Sequence, residues 1–154
     1  MADWLADSNI WLRSSEPDHP MFPAATQAVE AILKNDEIYM VPQVVNEFWR
    51  VATAPLDEQR GGLGWGVGRA DRKVRALEAV FPMKYDDAEV YRWWRRIVLG
   101  DGVTGITGKH VHDARLVAAM LAHGMTHILT FNTKDFLRYE SLGISVINPK
   151  DVTV

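Results

Sequence analysis

His112-Asp113-Ala114-Arg115-Leu116-Val117-Ala118-Ala119-Met120-Leu121-Ala122-His123-Gly124, followed shortly by His127-Ile128-Leu129-Thr130-Phe131, decides the fold. The first part is rich in alanine and leucine, and Gly124 suits the position just past a helix end. The second part is an apolar run of strand length. A helix that stops at a glycine and feeds a strand is half of an α/β unit, and the alternation continues outward in both directions. Strands are predicted at residues 4–6, 38–41, 83–85, 127–131 and 145–147. Between them, Ala25, Val29, Ile32 and Leu33 repeat at helical spacing, as do Val44, Phe48, Val51 and Ala52. Further helices are expected over about 67–80, 88–99 and 112–123. Strands alternating with helices predict an α/β layer fold with a mainly parallel sheet. At 154 residues the chain is expected to fold as one domain spanning 1–154, without disulfides.

Four acids fall where this reading puts strand ends or first helical turns: Asp7, Glu47, Asp113 and Asp135. In parallel α/β sheets, ligands gather at the carboxyl ends of the strands, near the topological switch point. Asp7 follows the first strand, Asp135 the fourth, and Glu47 lies a few residues past Pro42 at the border of an apolar stripe formed with Val44 and Val51. Asp113 falls between Leu116, Val117 and Met120 on the buried side of its helix. Two carboxylates about 5 Å apart repel by roughly 3 kcal/mol at an effective dielectric near 20. Gathered together, the acids need a cation or a proton, and oxygen donors without thiolate or imidazole suit magnesium. That chemistry points to phosphodiester cleavage. Each acid also has a plain alternative: Asp113 as a first-turn carboxylate favouring the helix dipole, Asp135 as a cap, Glu47 as a partner of Arg50.

The chain has no cysteine, which removes thiol nucleophiles and sulfur metal sites and fits a reducing cytoplasm. No run approaches the roughly 18 apolar residues a membrane helix needs, and the N-terminus lacks a signal-peptide pattern, so a cytoplasmic protein without membrane association is expected. Formal net charge is −3, but basic residues cluster at Arg69, Arg72, Lys73 and Arg75 and again at Arg92, Arg95 and Arg96. They are read either as solvated helix faces or as phosphate-tracking rims. The segment Gly61-Gly62-Leu63-Gly64-Trp65-Gly66-Val67-Gly68 has no preceding strand and no following Gly-Lys-Ser/Thr, which disfavours a nucleotide cradle. A flexible or substrate-contacting loop fits better, with Trp65 available to stack on a base. His110 and His112 do not share a helix face, and His123 and His127 straddle Gly124, so zinc is disfavoured. No serine stands in a nucleophile-elbow context.

The stretches Asp7-Ser8-Asn9, Asn46-Glu47-Phe48, His112 to Ala119 and Leu129 to Phe136 resemble, in order and spacing, the motifs of PIN-domain nucleases, and the chain looks especially like the VapC-type toxins of bacterial toxin–antitoxin pairs. The resemblance implies an α/β/α sandwich and an endoribonuclease dependent on Mg2+ or Mn2+ that leaves a 5′-phosphate and a 3′-hydroxyl. It further implies that Asp7, Glu47 and Asp113 bind metal, that Asp135 completes the set, and that Asn9, Thr130 and Asn132 are polar supports. Many family members carry an acid where Asn132 stands, so the fourth role falls to either position. RNA is the implied substrate, with Trp65, Arg69, Arg72 and Lys73 expected to contact it. A homodimer and a small antitoxin covering the cleft are implied as well. Two rival readings remain: a catalytically silent PIN-like module that binds protein or RNA, and a phosphatase on a doubly wound sheet. Against the second, Asn9 replaces the second acid of the usual Asp-x-Asp pattern.

Overall fold

The computed structural model describes residues 1–152. Strands β1 (Asp3–Ala6), β2 (Glu37–Tyr39), β3 (His127–Leu129) and β4 (Ser145–Ile147) form one sheet in the order β2-β1-β3-β4, with every pair parallel. In the central pair Leu5 lies opposite Ile128, and both are fully buried. Such burial is what a parallel sheet covered by helices requires. The covering helices are α1 (Ser8–Arg13), α2 (Phe22–Ile32), α3 (Pro42–Thr53), α4 (Val67–Val80), α5 (Ala88–Val98), α6 (His110–His123) and α7 (Thr133–Phe136). The result is the expected α/β/α sandwich.

From β1 the chain winds outward to β2, then crosses back through α3 to α6 and enters β3 on the other side of β1. The connections leaving β1 and β3 therefore diverge, which opens a crevice at the carboxyl edge of the sheet. Asp7 stands at one lip of it and Thr130 at the other, with the ladder extended between them by the Asp7 N–H donating to Leu129 O at 2.9 Å.

Local chemistry explains most boundaries. Pro42 opens α3 after an extended Val41, and α6 ends at Gly124 with φ 74°. α6 starts two residues earlier than predicted, because Lys109 is already helical and the His110 N–H reaches Thr107 O. The strand predicted at 83–85 does not form. Among the described residues only a parallel bridge from Met40 to Met83 is present, since Pro42 has no N–H to donate to the next carbonyl and Tyr85 is exposed before Asp87 caps α5. α1 had no periodic signal, because Ile10, Trp11 and Leu12 are all buried in succession; Asp7 sets its start by accepting from the Ser8 N–H.

The glycine-rich segment is pinned rather than loose. N–H groups of Leu63, Gly64 and Trp65 donate to the carbonyls of Val51, Ala54 and Ala52 at 2.8–3.1 Å, so the segment satisfies the C-terminal end of α3. At Gly62 a Cβ would lie 2.2 Å from Pro55 O, which excludes any side chain there.

Candidate active site

The crevice is a cleft of about 590 Å³ whose lining includes Asp7, Glu47, Asp113 and Asp135 together with Asn9 and Asn132. Elements far apart in sequence deliver them: the end of β1, the second turn of α3, the first turn of α6 and the short α7. The four acids singled out in the sequence therefore do face one space.

Asp7 is the most constrained. It is 6% exposed, and its carboxylate accepts from the Ser8 N–H at 2.7 Å, Thr130 Oγ1 at 2.8 Å and Asn9 Nδ2 at 3.2 Å. Thr130 is fully buried; its hydroxyl gives its one proton to Asp7 and accepts the Asn132 N–H at 3.0 Å. Asn9 Oδ1 accepts the Phe131 N–H at 3.3 Å, which ties α1 to the end of β3. Burial is the largest influence on Asp7 and pushes its carboxyl from 3.8 up to about 6; the Thr130 bond opposes this, the Glu47 charge adds to it, the Ser8 N–H opposes it and Asp113 adds to it.

Glu47 is partly buried, with Oε1 accepting from Gln43 Nε2 at 2.9 Å and Oε2 from Ser8 Oγ at 3.3 Å. Gln43 also donates to His112 O at 2.8 Å, so one buried amide joins the helix bearing Glu47 to the helix bearing Asp113. Burial raises the Asp113 carboxyl above its ordinary value, and the charges of Asp135 and Glu47 raise it further; His110, whose Nδ1 lies 3.8 Å away, opposes them. Asp135 sits in the first turn of α7 with its N–H on Asn132 O at 3.1 Å.

The cleft's basic side chains are not those the sequence suggested. Arg13, Arg50, Arg60, Lys109 and Arg115 line it, each from a different segment, while Trp65, Arg69, Arg72 and Lys73 lie outside it around an adjoining groove. Arg92 and Arg96 on α5 pair with Glu89 and Asp101, and Arg96 also covers Trp93 at 4.4 Å, which makes that helix face a solvated one. Trp94 donates to Val111 O and so serves to hold α5 on α6. Sequence clustering could not find the scattered cations. Gln43 gave one usable signal: it is one helical turn before Glu47.

Among the described residues no three Asp, Glu or His side chains close into a ready ion cage. An all-oxygen set spread around a cleft, with two carboxyls lifted first by burial and further by neighbouring negative charge, fits a hard cation that keeps part of its water shell.

A family model described as PIN domain matches residues 5–142. No curated protein matches the sequence. Among solved structures, FitAcB from Neisseria gonorrhoeae is similar with a TM-score of 0.69 at 16% identity, over 96% of this chain and 99% of that one. The toxin–antitoxin complex from Klebsiella pneumoniae is similar with a TM-score of 0.62 at 18% identity, over 97% and 98%. VapC20 from Mycobacterium tuberculosis, described as a sarcin-ricin loop cleaving toxin, is similar with a TM-score of 0.61 at 16% identity, over 86% and 92%. At these identities the structural likeness speaks for the fold.

Proposed function

The chain belongs to the PIN domain family, and from that premise we propose that it is a single-domain, metal-dependent endoribonuclease that serves as the toxin of a type II toxin–antitoxin pair. The observation that carries this reading is the convergence of Asp7, Glu47, Asp113 and Asp135 on one cleft, with Asp7 and Asp113 raised chiefly by burial and further by neighbouring negative charge. A silent binding module has no use for that repulsion. Mg2+ or Mn2+ held by Asp7, Glu47 and Asp113, with Asp135 or Asn132 completing the set, would supply a water of lowered pKa and positive charge against the scissile phosphate.

The chain's own residues do the positioning. Thr130, Asn9 and the Ser8 N–H occupy three of the roughly four acceptor sites of Asp7 and leave it in one orientation. Gln43 and Ser8 hold Glu47 in the same way, with about two of its acceptor sites left for a water. Glu47 has no ion-pair partner among the described residues, so no side-chain cation competes for its charge. Arg50, Arg60 and Lys109 at the rim attract the flanking phosphates. The partner that restrains the enzyme is a small antitoxin presenting a basic side chain to the four acids, and the toxin itself is a homodimer.

Protein freed of antitoxin and incubated with mixed RNA and Mg2+ should produce discrete fragments. Asp7→Asn and Asp113→Asn should each lower the rate on the order of 100-fold or more, about 3 kcal/mol of transition-state stabilisation. Undiminished cleavage by both variants would sink the mechanism. Turnover of a small phosphomonoester in place of RNA would favour the phosphatase reading.

A further inference from the structure

Beside the cleft, between the end of α1 and one face of α4, lies a groove of about 440 Å³. Arg69, Arg72, Lys73 and Ala76 line it from α4 at spacings i, i+3, i+4 and i+7, while Ala70, Val74 and Leu77 are buried on the helix's other side. No Asp or Glu lines this groove. Arg13, Arg60, Arg75, Arg92, Arg96 and Arg115 each have a carboxylate partner, but among the described residues Arg69, Arg72 and Lys73 have none. Lys73 is partly buried as well, and burial lowers its pKa, so the fold holds an ammonium with reduced hydration and no counter-charge. Arg69 lies 4.2 Å over the ring of Trp65, which presents a flat guanidinium at the groove's edge.

The groove connects with the cleft. Trp65 and Arg69 also line an intervening depression that reaches Arg13 and Gly61, and those two line the cleft. In that intervening stretch Glu16 and Asp57 are paired with Arg13 and Arg60, while Asp18 and Glu58 have no ion-pair partner among the described residues and repel a phosphate backbone.

We propose that the groove between α1 and α4 is a distal binding site for the backbone of a single-stranded RNA whose scissile bond sits in the acidic cleft. The inference rests on the ribonuclease reading for the identity of the ligand. Three cations without carboxylate partners suit phosphates, and the Arg69 guanidinium, backed by Trp65, offers its outer plane for a base to stack on, a contact an acidic peptide would leave unused. Because the stretch between is acidic, RNA gains from the groove only when it is long enough to cross that stretch, so affinity should rise in a step with length.

The test is fluorescence anisotropy with labelled single-stranded RNAs of graded length, in EDTA so that nothing is cut, across a salt series. Each phosphate contact contributes a slope of about −0.7 in log K against log salt for a single strand. For RNAs beyond the step, Arg72→Ala combined with Lys73→Ala should flatten the slope by about 1.4, and Arg72→Lys should restore its share. For RNAs below the step the variants should match wild type, in affinity and, with Mg2+, in cleavage, which excludes a folding defect. Absence of a length step, or unchanged slopes in the double variant, overturns the proposal. Loss of polyglutamate binding in that variant with RNA binding intact overturns it in favour of a protein partner. If wild type leaves every RNA intact with Mg2+ but the groove-dependent step persists, the ribonuclease reading falls and the groove stands.

Discussion

Asp7 accepts three hydrogen bonds and is 6% exposed, whereas Asp113 on α6 is partly buried and among the described residues has one polar side-chain neighbour within 4 Å that could pair with its charge, His110 Nδ1 at 3.8 Å. The His110 Nδ1 itself has no hydrogen-bond partner among the described residues. One half of the cleft is thus fixed by the fold before any ligand arrives, at the junction of β1, α1 and the end of β3. The other half, where Asp113 and Asp135 share the first turns of two helices, keeps unspent bonding capacity. The difference is one of constraint: three hydrogen bonds fix the Asp7 carboxylate, while the Asp113 carboxylate is left with open acceptor sites.

The largest effect that would break this contrast is on stability at Asp7. A carboxyl raised from 3.8 to about 6 binds its proton more tightly folded than unfolded, so ionising it costs the fold about 3 kcal/mol well above pH 6. That cost fades as the pH falls from 6 towards 3.8. Without divalent ions, Asp7→Asn should therefore melt higher than wild type at pH 7.5 by up to that amount, with no gain near pH 4, and added Mg2+ should shrink the gain. Equal melting at pH 7.5 would mean that Asp7 is not strained. Thr130→Val comes next, removing the donor to Asp7 and the acceptor of the Asn132 N–H; a loss of about 1–3 kcal/mol is expected, larger at pH 7.5 than at pH 4.5 because the Thr130 bond favours the ionised carboxyl. The smallest effect belongs to Asp135→Asn. Stability should move by no more than about 0.5 kcal/mol, while the Asp113 carboxyl, followed by NMR, should titrate lower once the neighbouring charge is gone. A Thr130-sized loss at Asp135 would erase the distinction between the two sides.

Much of the frame was legible because each signal was local. α4 runs over Val67–Val80 as its apolar spacing predicts, and Gly124 stops α6 because a left-handed residue is needed there. What stayed hidden depends on contacts between distant segments. Residues 83–85 read as a strand by composition, yet the ladder stops after the Lys84 N–H reaches Met40 O, because Pro42 has no N–H for the next rung. Ile10, Trp11 and Leu12 show no helical period because three successive residues of the short α1 are buried. The four acids could be selected by their apolar surroundings, but Gln43, which bridges Glu47 to His112 O, looked like any polar helix residue until α3 and α6 were seen together. The glycine-rich segment misled for the same reason: its N–H groups close α3, a role visible only in three dimensions.

The bond from Thr130 to Asp7 closes a loop of 123 residues. A contact that distant forms only after Thr130 itself has been synthesised, and slowly compared with local helices. A polypeptide still emerging from its ribosome therefore holds Asp7 without the hydroxyl that steadies it. For the ribonuclease proposed above, this order of assembly leaves the Asp7 carboxylate unset until Thr130 has emerged and packed against it.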